Sequence, residues 1–149
     1  MADHNPINDI QQEIIDEFAL FDDWTEKYGY IVEMGKKLDP LEEKYKTEKN
    51  IIKGCQSRVW LQPELTDDGR VIFKTDSDAI IVKGLIYMLV RVMSGHKPKD
   101  IVNADLYFID ELGVSQHLSQ TRSNGLAAMV KQMKLFGLAY LKKQEADTK

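Results

Sequence analysis

Apolar residues first recur at three- and four-residue steps, Ile10, Ile14, Phe18 and Phe21, which predicts an amphipathic helix running to about Leu20. Asn8 followed by Gln11 reads as its N-terminal cap. Asp23 with Glu26 opens a second helix, in which Trp24, Tyr28, Ile31 and Gly35 form the buried stripe and which ends near Lys36 and Lys37. Two such neighbours predict a helical hairpin. Asp39-Pro40 pairs a good cap with proline at the first helical position, so a short helical turn is expected there, and the polar stretch from Lys46 to Asn50 reads as a loop.

The period then changes to two. Val59 and Leu61 alternate with Arg58, Trp60 and Gln62, Val71, Phe73 and Thr75 alternate with Ile72 and Lys74, and Asp67-Asp68-Gly69 supplies the turn of a β-hairpin. A helix from Ala79 to about Ser94 follows, apolar on most sides and therefore expected at the centre of the molecule. Ser77 or Asp78 can cap it, and Gly95 can end it in the left-handed conformation that its missing Cβ permits. Pro98 to Val102 and Tyr107 to Leu112 read as short helical pieces. A last helix starts near Thr121 with Leu126, Val130, Met133, Gly137 and Tyr140 on one face, and the polar tail from Lys142 is expected to fray. Trp60, Met88, Met93, Met129 and Met133 read as core. The order of helices, small antiparallel sheet and helices gives an α+β fold with helices covering one face of the sheet. With no repeat or linker, residues 1–149 read as a single domain, ordered from about 8 to 141 with short polar tails.

Composition narrows the function. A chain of 149 residues that is 43% hydrophobic and 30% charged suits one soluble domain, and a net charge of −4 argues against nucleic acid as a partner. The longest apolar stretch, Ala79 to Met93, is interrupted by Lys83 and Arg91, so no membrane span is expected. The N-terminus lacks the basic and apolar regions of a secretory signal, and one cysteine makes no internal disulfide, so a reducing cytoplasm is the expected location. Cys55 is accompanied only by His4, His96 and His117, all distant in sequence, and no metal site is expected.

Cys55 follows Gly54 and precedes a strand, which reads as a loop tip able to bring a thiol to a partner. Lys53 and Arg58 flank it and can favour the thiolate. The bland alternative is an inert, buried small hydrophobe. Asp76, Ser77 and Asp78 read most simply as helix caps, and Lys83 as a solvated residue. Arg122 opposes the helix macrodipole near the start of the last helix, so a specific partner for its guanidinium is expected. His117 as a general base for Cys55 would make a Cys-His hydrolase, but no orienting third residue is evident.

Three blocks decide between these readings. Gly54-Cys55-Gln56-Ser57-Arg58-Val59-Trp60 comes first. Ser77-Asp78-Ala79 leading to Val82-Lys83-Gly84-Leu85 is second, and His117-Leu118-Ser119 leading to Arg122-Ser123-Asn124-Gly125-Leu126 is third. In order and separation they resemble the signature blocks of the SufE family of sulfur-acceptor proteins, and the likeness runs from about Phe18 to Leu141. The resemblance implies the fold of IscU-type iron-sulfur scaffolds, used for sulfur acceptance. It implies that Cys55 takes persulfide sulfur from a SufS-type cysteine desulfurase, stimulating that enzyme, and passes the sulfur to the SufBCD scaffold complex. Pyridoxal phosphate then belongs to the desulfurase, and this chain is a non-catalytic carrier without a cofactor of its own, expected to be a monomer. Gly54, Gln56, Ser57, Arg58, Asp78, Lys83, His117 and Arg122 are implied to shape the cysteine loop or engage partners. Many family members have proline where Gln120 stands, a departure that touches only the start of the last helix. Because an exposed persulfide is open to reductants and oxidation, a sheltered resting loop anchored by Ile51 and Ile52 is expected. The rival reading is an iron-sulfur or zinc-binding scaffold on the same fold, which the missing second and third cysteines oppose.

Overall fold

The first helix, α1 (Pro6–Phe18), begins earlier than the Asn8 cap predicts, because Asn5 takes that role and Pro6 at the first helical position is already set for helical φ. The Asn5 carboxamide accepts the Ile7 amide at 3.0 Å. Gln11 is thereby released from capping and is completely buried. Its amide nitrogen donates to the Asp105 carbonyl at 3.0 Å and its oxygen accepts the Phe108 amide at 3.1 Å. The structure is a computed structural model and describes residues 5–55 and 57–147.

Helix α2 (Trp24–Gly35) is capped by Asp23, as its sequence requires, with the Glu26 amide donating to the carboxylate at 2.9 Å. It does not form the expected hairpin with α1. Its length lies along α3 (Ile80–Met93), and it meets α1 where Tyr30 stacks edge-on against Phe18 and bonds Glu17. Small residues dictate this choice: a Cβ on Gly84 would overlap the Ile31 carbonyl oxygen, and one on Gly35 would stand 2.8 Å from the Gly84 nitrogen. Arg91 on α3 ties α1 in from the other side, gripping Glu17 at 2.9 and 2.5 Å.

The segment after α2 makes no helix at Asp39-Pro40. Single 3-10 turns form instead at Glu43–Tyr45 and at Glu48–Asn50, the second inside the stretch expected to be a loop. Strands β1 (Val59–Leu65) and β2 (Val71–Ser77) form the predicted antiparallel hairpin, in register from Val59 opposite Ser77 to Leu65 opposite Val71. One face, with Val59, Leu61, Val71 and Phe73, lies in the core against the helices. The opposite face is also covered at the Trp60–Asp76 end, where Lys46 sits over the indole and 3.5 Å from the Asp76 carboxylate.

Helix α3 is the central element, with Leu85, Ile86, Met88, Leu89, Val92 and Met93 all buried. Neither Ser77 nor Asp78 caps it conventionally: Ala79 occupies the cap position, and both polar side chains are engaged by Arg58. Gly95 does adopt positive φ, but its amide donates to the Val71 carbonyl and so closes onto the sheet, not back onto the helix. Short helices α4 (Pro98–Asn103), α5 (Tyr107–Leu112) and α6 (Val114–His117) lead to α7 (Gln120–Asp147). The tail expected to fray is helical to Asp147, and Gln144 bonds the Gly69 carbonyl in the hairpin turn. Met129, Met133 and Gly137 are the buried residues of α7, with Gly137 against Ile101 of α4. Among the described residues no helix is long and apolar enough to cross a membrane.

Two stability effects follow. Gly84→Ala drives a methyl into the α2 backbone and is expected to cost about 3 kcal/mol, read as a lower urea midpoint at unchanged slope. Arg91 holds the Glu17 carboxyl below the usual range, so the pair's contribution is present above the unfolded carboxylate pKa and lost as pH falls through the folded value. Arg91→Met should therefore flatten the fall in urea midpoint between about pH 5 and pH 3.

Candidate functional site

Cys55 lies on a short loop, residues 53–58, whose two stems meet at the start of β1. The Ile52 amide donates to the Val59 carbonyl at 2.9 Å, Ile51 pairs with Trp60, and Ile52 is buried beneath. Gly54 turns the chain with φ +96°, a conformation that a Cβ would strain. The loop then lies down on α7: the Cys55 thiol faces the Gly125 carbonyl at 3.6 Å, and a Cβ on Gly125 would stand only 3.3 Å from the sulfur. Cys55 is thus a half-buried residue resting on a helix and not an open tip.

The second block secures the other stem. The Arg58 amide donates to the Asp78 carboxylate at 3.1 Å, while the Arg58 carbonyl accepts from the Ser77 hydroxyl at 2.8 Å and the Asp78 amide at 3.3 Å. Residues that read as helix caps therefore hold the cysteine loop. Asp76, next in line, is 5% exposed and organises a second cluster. Its carboxylate accepts the Ser77 and Leu41 amides and faces Lys83 at 3.6 Å and Lys46 at 3.5 Å. Burial works against that charge, but the two amides and two ammonium groups outweigh it and hold the carboxyl below the usual range. Lys83 is accordingly an ion-pair partner of a buried carboxylate, not a freely solvated residue.

Beside the thiol opens a cleft of about 300 Å3. Its closed side is apolar, formed by Leu85, Ile86, Leu89 and Met129; Ser119, Thr121 and Arg122 stand at the exposed side, with Ser57 beside the loop. Ser119 caps the start of α7 by accepting the Arg122 amide at 3.2 Å. The Arg122 guanidinium finds no acceptor among the described residues, so the partner expected for it is not within this part of the chain. His117 is not paired with Cys55: its ring stacks on Trp24 with centroids 4.0 Å apart, and its carbonyl accepts the Tyr28 hydroxyl. Gln56 lies outside the described residues, as does His4.

Burial pushes the Cys55 thiol above the usual range, the reverse of the expectation from Lys53 and Arg58, whose exposed side chains point their charge at solvent. Burial therefore favours the neutral thiol over the thiolate. Among the described residues no three His, Cys, Asp or Glu side chains stand together where one metal ion would hold them. Sequence reasoning placed Asp76 among the helix caps and Gly125 within the third block and gave neither a role at the site, where Asp76 joins Lys46 and Lys83 and Gly125 seats the thiol.

Compared with known proteins, residues 12–136 match the SufE family model, described as an Fe-S metabolism associated domain. The fold is similar to the solution structure of a hypothetical protein from Thermus thermophilus, with a TM-score of 0.73 and 16% identity over 89% of this chain and 96% of that one. At that identity the likeness speaks to the fold alone.

The buried thiol makes a kinetic prediction. Iodoacetamide should alkylate Cys55 more slowly in the native protein than in the urea-unfolded chain at about pH 8, with the native rate still climbing above the pH at which the unfolded rate has levelled. Asp78→Ala releases the Arg58 amide and should raise the native rate severalfold; equal rates in wild type and variant would mean that the stem bond does not hold the loop.

Proposed function

Because the chain belongs to the SufE family, and so to iron-sulfur metabolism, we propose that Cys55 accepts sulfur as a persulfide from a SufS-type cysteine desulfurase and delivers it to the SufBCD scaffold complex. The observation that carries this reading is the placement of the chain's one thiol, half-buried on a doubly tied loop beside a largely apolar cleft. A carrier needs one sulfur that is sheltered between deliveries and exposed when a partner is present.

The chemistry is thiol exchange. The Cys55 thiolate attacks the outer sulfur of the donor persulfide, a new S–S bond forms, the donor's S–S bond breaks, and the donor cysteine leaves as its thiolate. No net oxidation occurs, and a second exchange of the same kind passes the sulfur on. Burial against α7 disfavours the thiolate, and withdrawal of the loop into a more polar setting relieves that effect. Removing the sulfur restores the desulfurase cysteine, which accounts for stimulation of that enzyme without catalysis here. Its pyridoxal phosphate stays with it.

Ser57 and Arg122 line the cleft beside the sulfur and, with the exposed Arg58 on the loop stem, meet the partner, while Gly54 supplies the turn and Asp78 the restraint. Lys83 and His117 serve the site through the frame, one by pairing with Asp76 and the other by stacking on Trp24. A reducing cytoplasm, which keeps one thiol free, and a monomer that leaves one partner before meeting the next complete the reading.

The test is intact mass after incubation with the genome's own cysteine desulfurase and L-cysteine, without reductant. Wild type should gain the mass of about one sulfur atom and accelerate alanine release, and Cys55→Ser should do neither. An active desulfurase that leaves wild type unmodified and is not stimulated would end the proposal.

A further inference from the structure

On the far side of the cysteine loop from the thiol cleft lies a second depression, of about 420 Å3, between the segment carrying Lys49 to Lys53 and the middle of α7. Its α7 wall is a stripe at helical spacing, Ala128, Lys131, Gln132, Leu135 and Phe136, distinct from the buried line through Met129, Met133 and Gly137. Leu135 is 47% exposed, and Ile51 and Phe136 are only partly covered.

The charges here are one-sided. Lys49, Lys53 and Lys131 line the groove, no Asp or Glu lines it, and among the described residues none of the three lysines has an ion-pair partner. In a chain with 24 acidic and 20 basic residues this is the reverse of the overall balance. Some surface lysines elsewhere pair, Lys36 with Glu33, Lys44 with Glu42 and Lys74 with Glu64, and others, such as Lys142 and Lys143, do not pair among the described residues; what distinguishes the groove is three unpaired lysines around one partly apolar depression. Apolar groups left partly wet inside a ring of unpaired cations fit a ligand that brings carboxylates at its edges and apolar side chains at its centre.

Position ties the groove to the sulfur chemistry. Gly54 lies against Ala128, where a Cβ would be 3.4 Å away, and Cys55 lies against Gly125 one turn earlier on the same helix. The loop is thus a partition, with the thiol cleft on one side and the lysine groove on the other. We propose that this groove is a second docking surface, which takes an acidic segment of the cysteine desulfurase bearing exposed apolar side chains, and so holds that partner while the thiol leaves its cleft. The inference rests on the sulfur-acceptor reading and adds where, and by what chemistry, the donor is held.

The test is calorimetric titration with the desulfurase at low and moderate salt, using wild type, Lys49→Glu/Lys131→Glu, Leu135→Asp, and Lys142→Glu/Lys143→Glu as the control on exposed α7 positions outside the groove. Both groove variants should bind roughly tenfold more weakly while keeping the wild-type melting temperature; the double variant should also lose most of the salt dependence, and the control should match wild type. Groove variants that bind like the control, or a control weakened as much as the double variant, would overturn the groove while wild type still takes up sulfur. Wild type that takes up no sulfur would instead remove the acceptor reading and the groove with it. Sedimentation decides the other occupant: a wild-type dimer that the groove variants convert to monomer would make the ligand a second copy of this chain and overturn the proposal.

Discussion

The close approach of α2 and α3 through Gly84 and Gly35 sets the position of everything that bears on the thiol. Backbone against backbone leaves no adjustable side chain between the helices, so the height and rotation of α3 are fixed by covalent geometry as much as by packing. That rotation sends Gly84 toward α2 and leaves Leu85, Ile86 and Leu89 to line the cleft beside Cys55. It also brings Lys83 to Asp76 at the end of β2. One residue in the second block makes the fit possible, its predecessor binds the sheet, and its successors form the apolar wall. A helix displaced from α2 by one methyl would disturb all three at once.

Against this rigid frame the cysteine loop is held by a few polar contacts whose sum is modest. Hydrogen bonds of the Ser77 and Asp78 kind are each worth on the order of 1 kcal/mol net, more where a carboxylate accepts. The S–H contact to Gly125 is weaker still. Burial of the sulfur adds some apolar stabilisation but disfavours the thiolate, and the two effects act in the same direction: the form that fits the cleft is the form that does not react. Reactivity and exposure are thereby coupled without any additional device, because moving the sulfur into water both uncovers it and lowers its pKa.

The fold was legible where local chemistry agreed with tertiary demand. The Asp23 cap, the Val59–Ser77 hairpin, the α3 core and the α5 boundaries follow from residue spacing, since nothing distant competes for those residues. Misreadings fall where a polar side chain had a distant partner. Gln11 looked like a capping residue and is buried against α5, Ser77 and Asp78 looked like caps and hold Arg58, and the polar tail looked frayed because Gln144's bond to Gly69 spans 75 residues. The α1–α2 hairpin failed for a related reason, since glycines in separate helices reveal their contact only when the helices meet. At the site itself, Cys55 was evident from its singularity and its block, but the sign of its electrostatics was not. Flanking Lys53 and Arg58 are near in sequence and turned to solvent, whereas the burying neighbours come from α3 and α7.

Charge is distributed to suit both halves of the proposed cycle. Cations packed against the sulfur would favour the thiolate at rest and expose the carrier to adventitious oxidants, so burial against apolar side chains is the better store. Encounter with a donor, by contrast, gains from charge, because exposed cations act over about a Debye length and speed docking without needing desolvation. The chain separates the two requirements by a single turn of loop. Cys55 faces apolar side chains and a helix carbonyl, while Lys53 and Arg58 on either side of it, Arg122 at the cleft rim and Lys49 and Lys131 beyond the stem face outward. A net negative protein thus presents positive charge around its one reactive atom without bringing that charge to the atom, and only a partner that supplies the opposite charge at that face has reason to dwell there long enough for the loop to move.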